Sequence, residues 1–248
     1  MATSLLVDRV SVFEPQTPVE LIAVPPPTEV LAVYADLPIA VDGRLDEAVW
    51  KDAPAYALGL CADRVTAGDT LIEGGRVRFA WNEEYLYMAV EFDDSDVVAE
   101  GVEDGEHHYN LGDLAELFLW PEDRSWYWEL YATPHGRQSS FFFPGPGRML
   151  PSTFGNHVAL KIAAQVQGTL NDWSDRDHGW TAEMAVPVEA LTARGEAWGP
   201  DAAWRVFVGR YNYSAYLPQV ELSAMPPLSR TSFHLRNEYA RLRLMPKP

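Results

Sequence analysis

Asp113, Glu116 and Glu129 stand within residues 112–136, GDLAELFLWPEDRSWYWELYATPHG, a stretch otherwise rich in apolar and aromatic side chains. Acids beside flat rings suit three kinds of chemistry. Aromatic faces can stack on the C–H-rich faces of sugars while acids reach the hydroxyls. Two carboxyls about 5–10 Å apart can hydrolyse a glycoside when one keeps its proton. Acids can also simply line the wet edge of a large core. Which of these applies depends on which side chains share a face.

Period-2 alternation sets those faces. Residues 113–120 and 126–133 read as a hairpin around Pro121-Glu122-Asp123-Arg124-Ser125. Glu116, Phe118 and Trp120 point one way, and Ala115, Leu117 and Leu119 the other. On the return strand Tyr127, Glu129 and Tyr131 share a side, opposite Trp126, Trp128 and Leu130. A one-residue slip in register would exchange the faces. The expected arrangement puts Glu116 and Glu129 on one face beside Tyr127 and Tyr131, with Trp126 and Trp128 packed inward.

Other segments carry chemistry of their own. EFDDSD at 91–96, followed by GVEDGEHH at 101–108, has the oxygen-rich composition that hard cations favour. Asp93, Asp94 and Asp96 are the candidate ligands for calcium, against the alternative of a solvated acidic loop. His107 and His108 suit zinc or simple loop polarity. Arg210 and Asn212, in RYNY, can each make paired hydrogen bonds to vicinal hydroxyls. Phe141, Phe142 and Phe143 could line an apolar pocket or plug the end of a β-sandwich. No nucleophile elbow, P-loop, HExxH or dinucleotide-binding glycine pattern is present.

The positioning elements are nearly all strands. Val77, Phe79 and Trp81 alternate before a turn at Asn82-Glu83-Glu84, and Tyr85 to Asp93 returns. Residues 157–166, 179–186, 203–212 and 239–245 fit further strands, and Val188–Ala193 fits a short helix. Nineteen prolines and seventeen glycines, spread along 248 residues, suit many short strands. The expected fold is all-β, an antiparallel β-sandwich or barrel spanning 37–248. Residues 1–36, punctuated by VPPP, read as an extended N-terminal arm or an added edge strand.

A net charge of −17 opposes encounter with nucleic acid or an anionic membrane. Cys61 is the single cysteine, which excludes a disulfide framework and a cysteine zinc site. The opening MATSLLVDRVSVFEPQ has no basic start followed by a long apolar run. That reads as a cytoplasmic protein, or as an extracellular one whose signal has already been removed.

Five segments, in order, resemble family 9 carbohydrate-binding modules, a β-sandwich group related to DOMON domains. They are IAVDGRLDEAVW (39–50), VRFAWNEEYLYMAVEFDD (77–94), GDLAELFL (112–119), GWTAEMAVP (179–187) and FHLRNEYARLRL (233–244). The resemblance spans roughly 37–245. It implies a jelly-roll-like sandwich, often with calcium, whose cleft grips sugar chain ends. Asp42-Gly43 would form a tight turn, Trp50 would turn inward, and Trp81, Trp180 and Trp204 would sit in the core.

Carried over residue by residue, the family's cleft acid corresponds to Glu116. A cleft arginine corresponds to Glu129, a reversal of charge. The two aromatic clamps fall at Asn110, beside Tyr109 and His108, and near Met225, so neither is a tryptophan. Fold and ligand are separate questions. The leading expectation is a non-catalytic module binding a saccharide or a glycosylated small molecule, with Tyr109, Glu116, Glu129, Tyr131, Arg210, Asn212 and His234 around the cleft. A haem-binding electron-transfer module is the second, with Met225 or Met149 and His234 as axial ligands. The third is a glycoside-active enzyme using Glu116 and Glu129.

Overall fold

Asn82 shows how the chain turns from one strand to the next. Its side-chain oxygen accepts the amides of Glu84 and Tyr85 at 2.9 and 2.8 Å, which closes the expected hairpin. The structure, a computed structural model, describes residues 29–155 and 157–248, so most of the expected N-terminal arm lies outside the described residues.

Twelve strands form one continuous ladder: β1 (Glu29–Tyr34), β2 (Tyr56–Ala57), β3 (Gly75–Trp81), β4 (Tyr85–Phe92), β5 (Leu114–Pro121), β6 (Tyr127–Ala132), β7 (Gln138–Phe143), β8 (Lys161–Gln167), β9 (Gly179–Pro187), β10 (Trp204–Asn212), β11 (Glu221–Met225) and β12 (Ala240–Leu244). The order is β7-β6-β5-β10-β12-β1-β3-β4-β9-β8, with β11 on β10 and β2 on β3. Short helices α1 (Ala48–Asp52), α2 (Ala62–Thr66), α3 (Pro151–Gly155) and α4 (Val188–Thr192) fill the connections. None of the described helices is long and apolar enough to cross a membrane.

The ladder folds over on itself as an all-β sandwich. Leu117, Trp128 and Val208 from one half meet Phe79, Met88 and Trp180 from the other in a single interior core. Trp81, Trp180 and Trp204 are all buried there, as expected from their place in the alternation. Each outer face then carries a smaller apolar cluster. Trp50 of α1 covers Tyr87, Ala89 and Ala185 on one side. Phe118, Tyr127, Tyr131, Phe141 and Phe207 form the cluster on the other. Strands β5 and β6 are therefore buried on both faces, which is why their acids sit in an apolar setting.

Two details depart from the sequence reading. The described end of the 1–36 segment, β1, is not an edge strand. It lies inside the ladder, parallel to both β12 and β3, with Val30 and Ala32 fully buried. A strand bonded on both sides has its amides and carbonyls satisfied, and the prolines that suggested an edge all precede it. The strand expected from residue 157 begins only at Lys161, because Val158 gives its amide to Ser140 Oγ at 3.0 Å instead of to a neighbouring strand.

Candidate functional site

The outer face of β5, β6, β7 and β10 supports a pocket of about 270 Å³. Register dictates its floor. Glu116 lies opposite Tyr131 on β6 and Gly209 on β10, while Glu129 lies opposite Phe118 on β5 and Phe141 on β7. Alternation then sends Phe141 and Phe143 to the pocket wall and Phe142 to the interior core. The three phenylalanines thus divide between the two roles open to them. Tyr211 of β10 and the segment Thr231–His234 complete the wall, and Tyr109 stands half exposed at the rim.

Gly209 is what lets that segment lie close. A Cβ there would meet the Phe233 ring at 2.5 Å. The ring must shift for any larger residue, and Phe233 lines the pocket. Gly209→Ala is expected to destabilise the fold by about 1–3 kcal/mol through overpacking and to weaken pocket binding. A thermal melt together with a ligand titration checks both effects.

The floor holds two buried carboxyls in hydrogen-bond reach of one phenol. The Tyr131 hydroxyl donates to Glu129 Oε1 and also interacts with Glu116. Burial pushes the Glu116 carboxyl well above the usual carboxylate range, and the Glu129 charge pushes it further. Burial likewise raises Glu129, to about 7, against the lowering effect of the Tyr131 bond. His234 Nε2 lies 3.8 Å from Glu129 Oε2, and its Nδ1 shares a 2.9 Å hydrogen bond with the Tyr127 hydroxyl. Burial lowers the His234 pKa, so the ring is neutral near pH 7.

The structure brings five of the seven expected cleft residues together: Tyr109, Glu116, Glu129, Tyr131 and His234. Arg210 and Asn212 lie elsewhere. Trp204, Val206 and Val208 face the sandwich interior, and the same parity takes Arg210 and Asn212 inward. Arg210 is fully buried, with Nη1 bonded to the carbonyls of Glu73 and Gly74 at 3.1 and 2.8 Å. Its Nη2 donates to the Asp93 carbonyl at 2.7 Å and pairs with Asp94 Oδ2 at 3.1 Å. Asn212 Nδ2 donates to Glu73 Oε2 at 2.7 Å. Tyr211, the residue between them, faces the pocket in their place. The alternation of WRVFVGRYN carried that signal, since Val206 and Val208 mark the interior parity.

Of the acids proposed for calcium, Asp94 faces the Arg210 guanidinium, Asp96 accepts the Ala215 amide through Oδ2 at 2.8 Å while its Oδ1 is buried without a partner, and Asp93 is exposed. Asp113 accepts the amides of Val98 and Tyr213 at 2.6 and 2.7 Å. A cation at Asp94 would meet the Arg210 guanidinium. Among the described residues no group of three or more histidines, cysteines, aspartates or glutamates is arranged to hold a metal ion. Met225 packs in the interior core, away from His234 on the outer pocket, whereas Met149 and His234 share the pocket wall.

The chain has the fold of solved family 9 carbohydrate-binding modules. No family model matches the sequence, and no curated protein matches it. Among solved structures, a "putative carbohydrate-binding protein" from Bacteroides uniformis is 12% identical, with a TM-score of 0.68 over 89% of this chain and 100% of its own. A family 9 carbohydrate-binding module from Caldicellulosiruptor kristjanssonii, in complex with cellotriose, gives 10% identity and a TM-score of 0.59 over 89% of this chain and 95% of its own. A family 9 module from the same organism in complex with glucose gives 10% and 0.58, over 89% and 97%. At such identities the likeness is one of fold.

Proposed function

We propose that the chain is a non-catalytic saccharide-binding domain and that the pocket on the outer face of β5, β6, β7 and β10 is its binding site. One observation carries the reading: buried carboxyls and aromatic rings converge on a cavity of about 270 Å³, room for a single sugar ring. Tyr211, Tyr109 and Phe233 supply ring faces for stacking, worth on the order of 1 kcal/mol beyond area burial. Glu116 and Glu129 supply groups for hydroxyls. The solved neighbours of this fold in complex with glucose and cellotriose support a saccharide as the ligand class.

Calorimetric titration against a panel of mono- and oligosaccharides tests this. At least one sugar is expected to bind, and Glu116→Gln and Tyr211→Ala are each expected to weaken it about tenfold or more. A panel in which nothing binds, or binding untouched by both substitutions, would sink the site.

A further inference from the structure

Among the described residues, the pocket is lined by two acids and by no lysine or arginine. Glu129 is only 5% exposed, and its Oε2 is a buried atom with no hydrogen-bond partner. The nearest cationic candidate, His234 Nε2, is 3.8 Å away, beyond hydrogen-bond distance. Its neighbour Glu116 is equally enclosed. A buried carboxyl oxygen without a donor is a costly arrangement unless a ligand completes it. The Tyr211 ring on the pocket wall favours the same completion, because its face attracts a positive charge.

We infer that the sugar this pocket selects carries a free amino group, an amino sugar of the glucosamine class, whose ammonium donates to Glu129 Oε2 and to Glu116. The inference rests on the saccharide reading above and deepens it. A neutral sugar offers only hydroxyls to the two acids. An acetylated amine has lost both its charge and its spare donors. An ammonium brings the positive charge that no residue of the pocket wall provides. A charge-assisted hydrogen bond is roughly twice as strong as a neutral one, so the amine is the feature by which the site discriminates.

Binding then moves a proton in a way that can be written out. A protonated carboxyl of the Glu116–Glu129 pair gives its proton to buffer, and the carboxylate that remains pairs with the ligand ammonium. The groups that face Glu129 are Glu116 from β5, Tyr127 and Tyr131 from its own strand, Tyr211 from β10, and His234 and Tyr239 from the C-terminal segment. All four phenols are raised by burial and stay protonated, so the proton comes from the Glu116–Glu129 carboxyl pair, in which Glu129 carries the unpartnered oxygen.

Isothermal titration of the whole chain with D-glucosamine, D-glucose, N-acetyl-D-glucosamine and cyclohexylamine separates the alternatives. Glucosamine is expected to bind about tenfold or more tightly than glucose or the acetylated sugar. In buffers of different ionisation heat it should release a proton that glucose does not, and its affinity should rise between pH 5 and 7. Glu129→Gln should bring glucosamine and glucose to within about twofold of each other. Glucose binding as tightly as glucosamine overturns the inference and leaves the saccharide reading standing. Binding of none of the sugars removes both. Cyclohexylamine binding as tightly as glucosamine overturns the sugar requirement, because the site would then read the ammonium alone.

Discussion

Replacing Arg210 by alanine is expected to destabilise the fold by about 3–5 kcal/mol, read from urea unfolding. The side chain has no solvent exposure and serves four acceptors at once: the carbonyls of Glu73, Gly74 and Asp93, and the Asp94 carboxylate. Truncation leaves an acid buried without its counter-charge and strands three carbonyls. It also opens a void beside the Phe92 ring, over which the guanidinium lies at 4.7 Å. Lysine should not rescue the variant, because a single ammonium lacks the planar fork that reaches both edges of this network. The double variant Arg210→Met with Asp94→Leu should recover part of the loss, since an apolar pair leaves no charge uncompensated. A loss below about 1 kcal/mol for Arg210→Ala would show that the network does not hold the loops together.

Stability should also run against the usual acid trend, rising as pH falls from about 8 to about 5. Burial raises Asp94 to about 6 despite Arg210, and raises Glu129 and Glu183 to about 7. Asp113 and Glu116 are raised well above the usual carboxylate range as well, again chiefly by burial. Glu183 shows how strong the effect is. It accepts the amides of Asp42 and Gly43 and the Trp50 indole N–H, all of which favour the carboxylate, yet burial prevails.

A group raised in the folded chain binds its proton more tightly there than in the unfolded chain. Its contribution is complete below the unfolded value, near 4, and is lost as pH climbs through the folded value, near 6 to 7. Each such acid is worth on the order of 1–3 kcal/mol across that window. Urea midpoints at pH 5 and pH 7.5 should therefore differ in favour of pH 5, and Glu129→Gln should shrink the difference. Equal midpoints, or a higher one at pH 7.5, would contradict the account. At the acid end the trend stops where ordinary carboxylates protonate. Asp63 is one, held below its usual value by the amide and hydroxyl of Thr231 although burial acts the other way.

The strands and the faces of the β5–β6 hairpin were legible because alternation is a local property. Leu117, Leu119, Trp128 and Leu130 announce an interior side, and Glu116 and Glu129 then fall on the opposite one. The same rule, applied to Val206 and Val208, would have turned Arg210 and Asn212 inward. Their polarity argued for a wet cleft, and their actual partners, Glu73, Asp93 and Asp94, lie more than a hundred positions away. No local pattern announces such a pairing. The place of Phe233 in the pocket wall was hidden for a related reason. Its ring lies against β10 only because Gly209 leaves space, and a glycine in a strand states an allowance without naming what fills it.

The position of β1 between β12 and β3 has a consequence for how the molecule comes into being. Leu31 is in register with Arg243, and Ala32 with both Leu244 and Phe79. The seam that shuts the ladder therefore cannot be sewn until residues near 244 have been made. Until then β1 and β10 each wait with an open edge, and a pairing as distant in sequence as β1 with β12 forms slowly. Newly made chains should be most prone to self-association in that interval, and a chaperone that covers strand edges would act on them there.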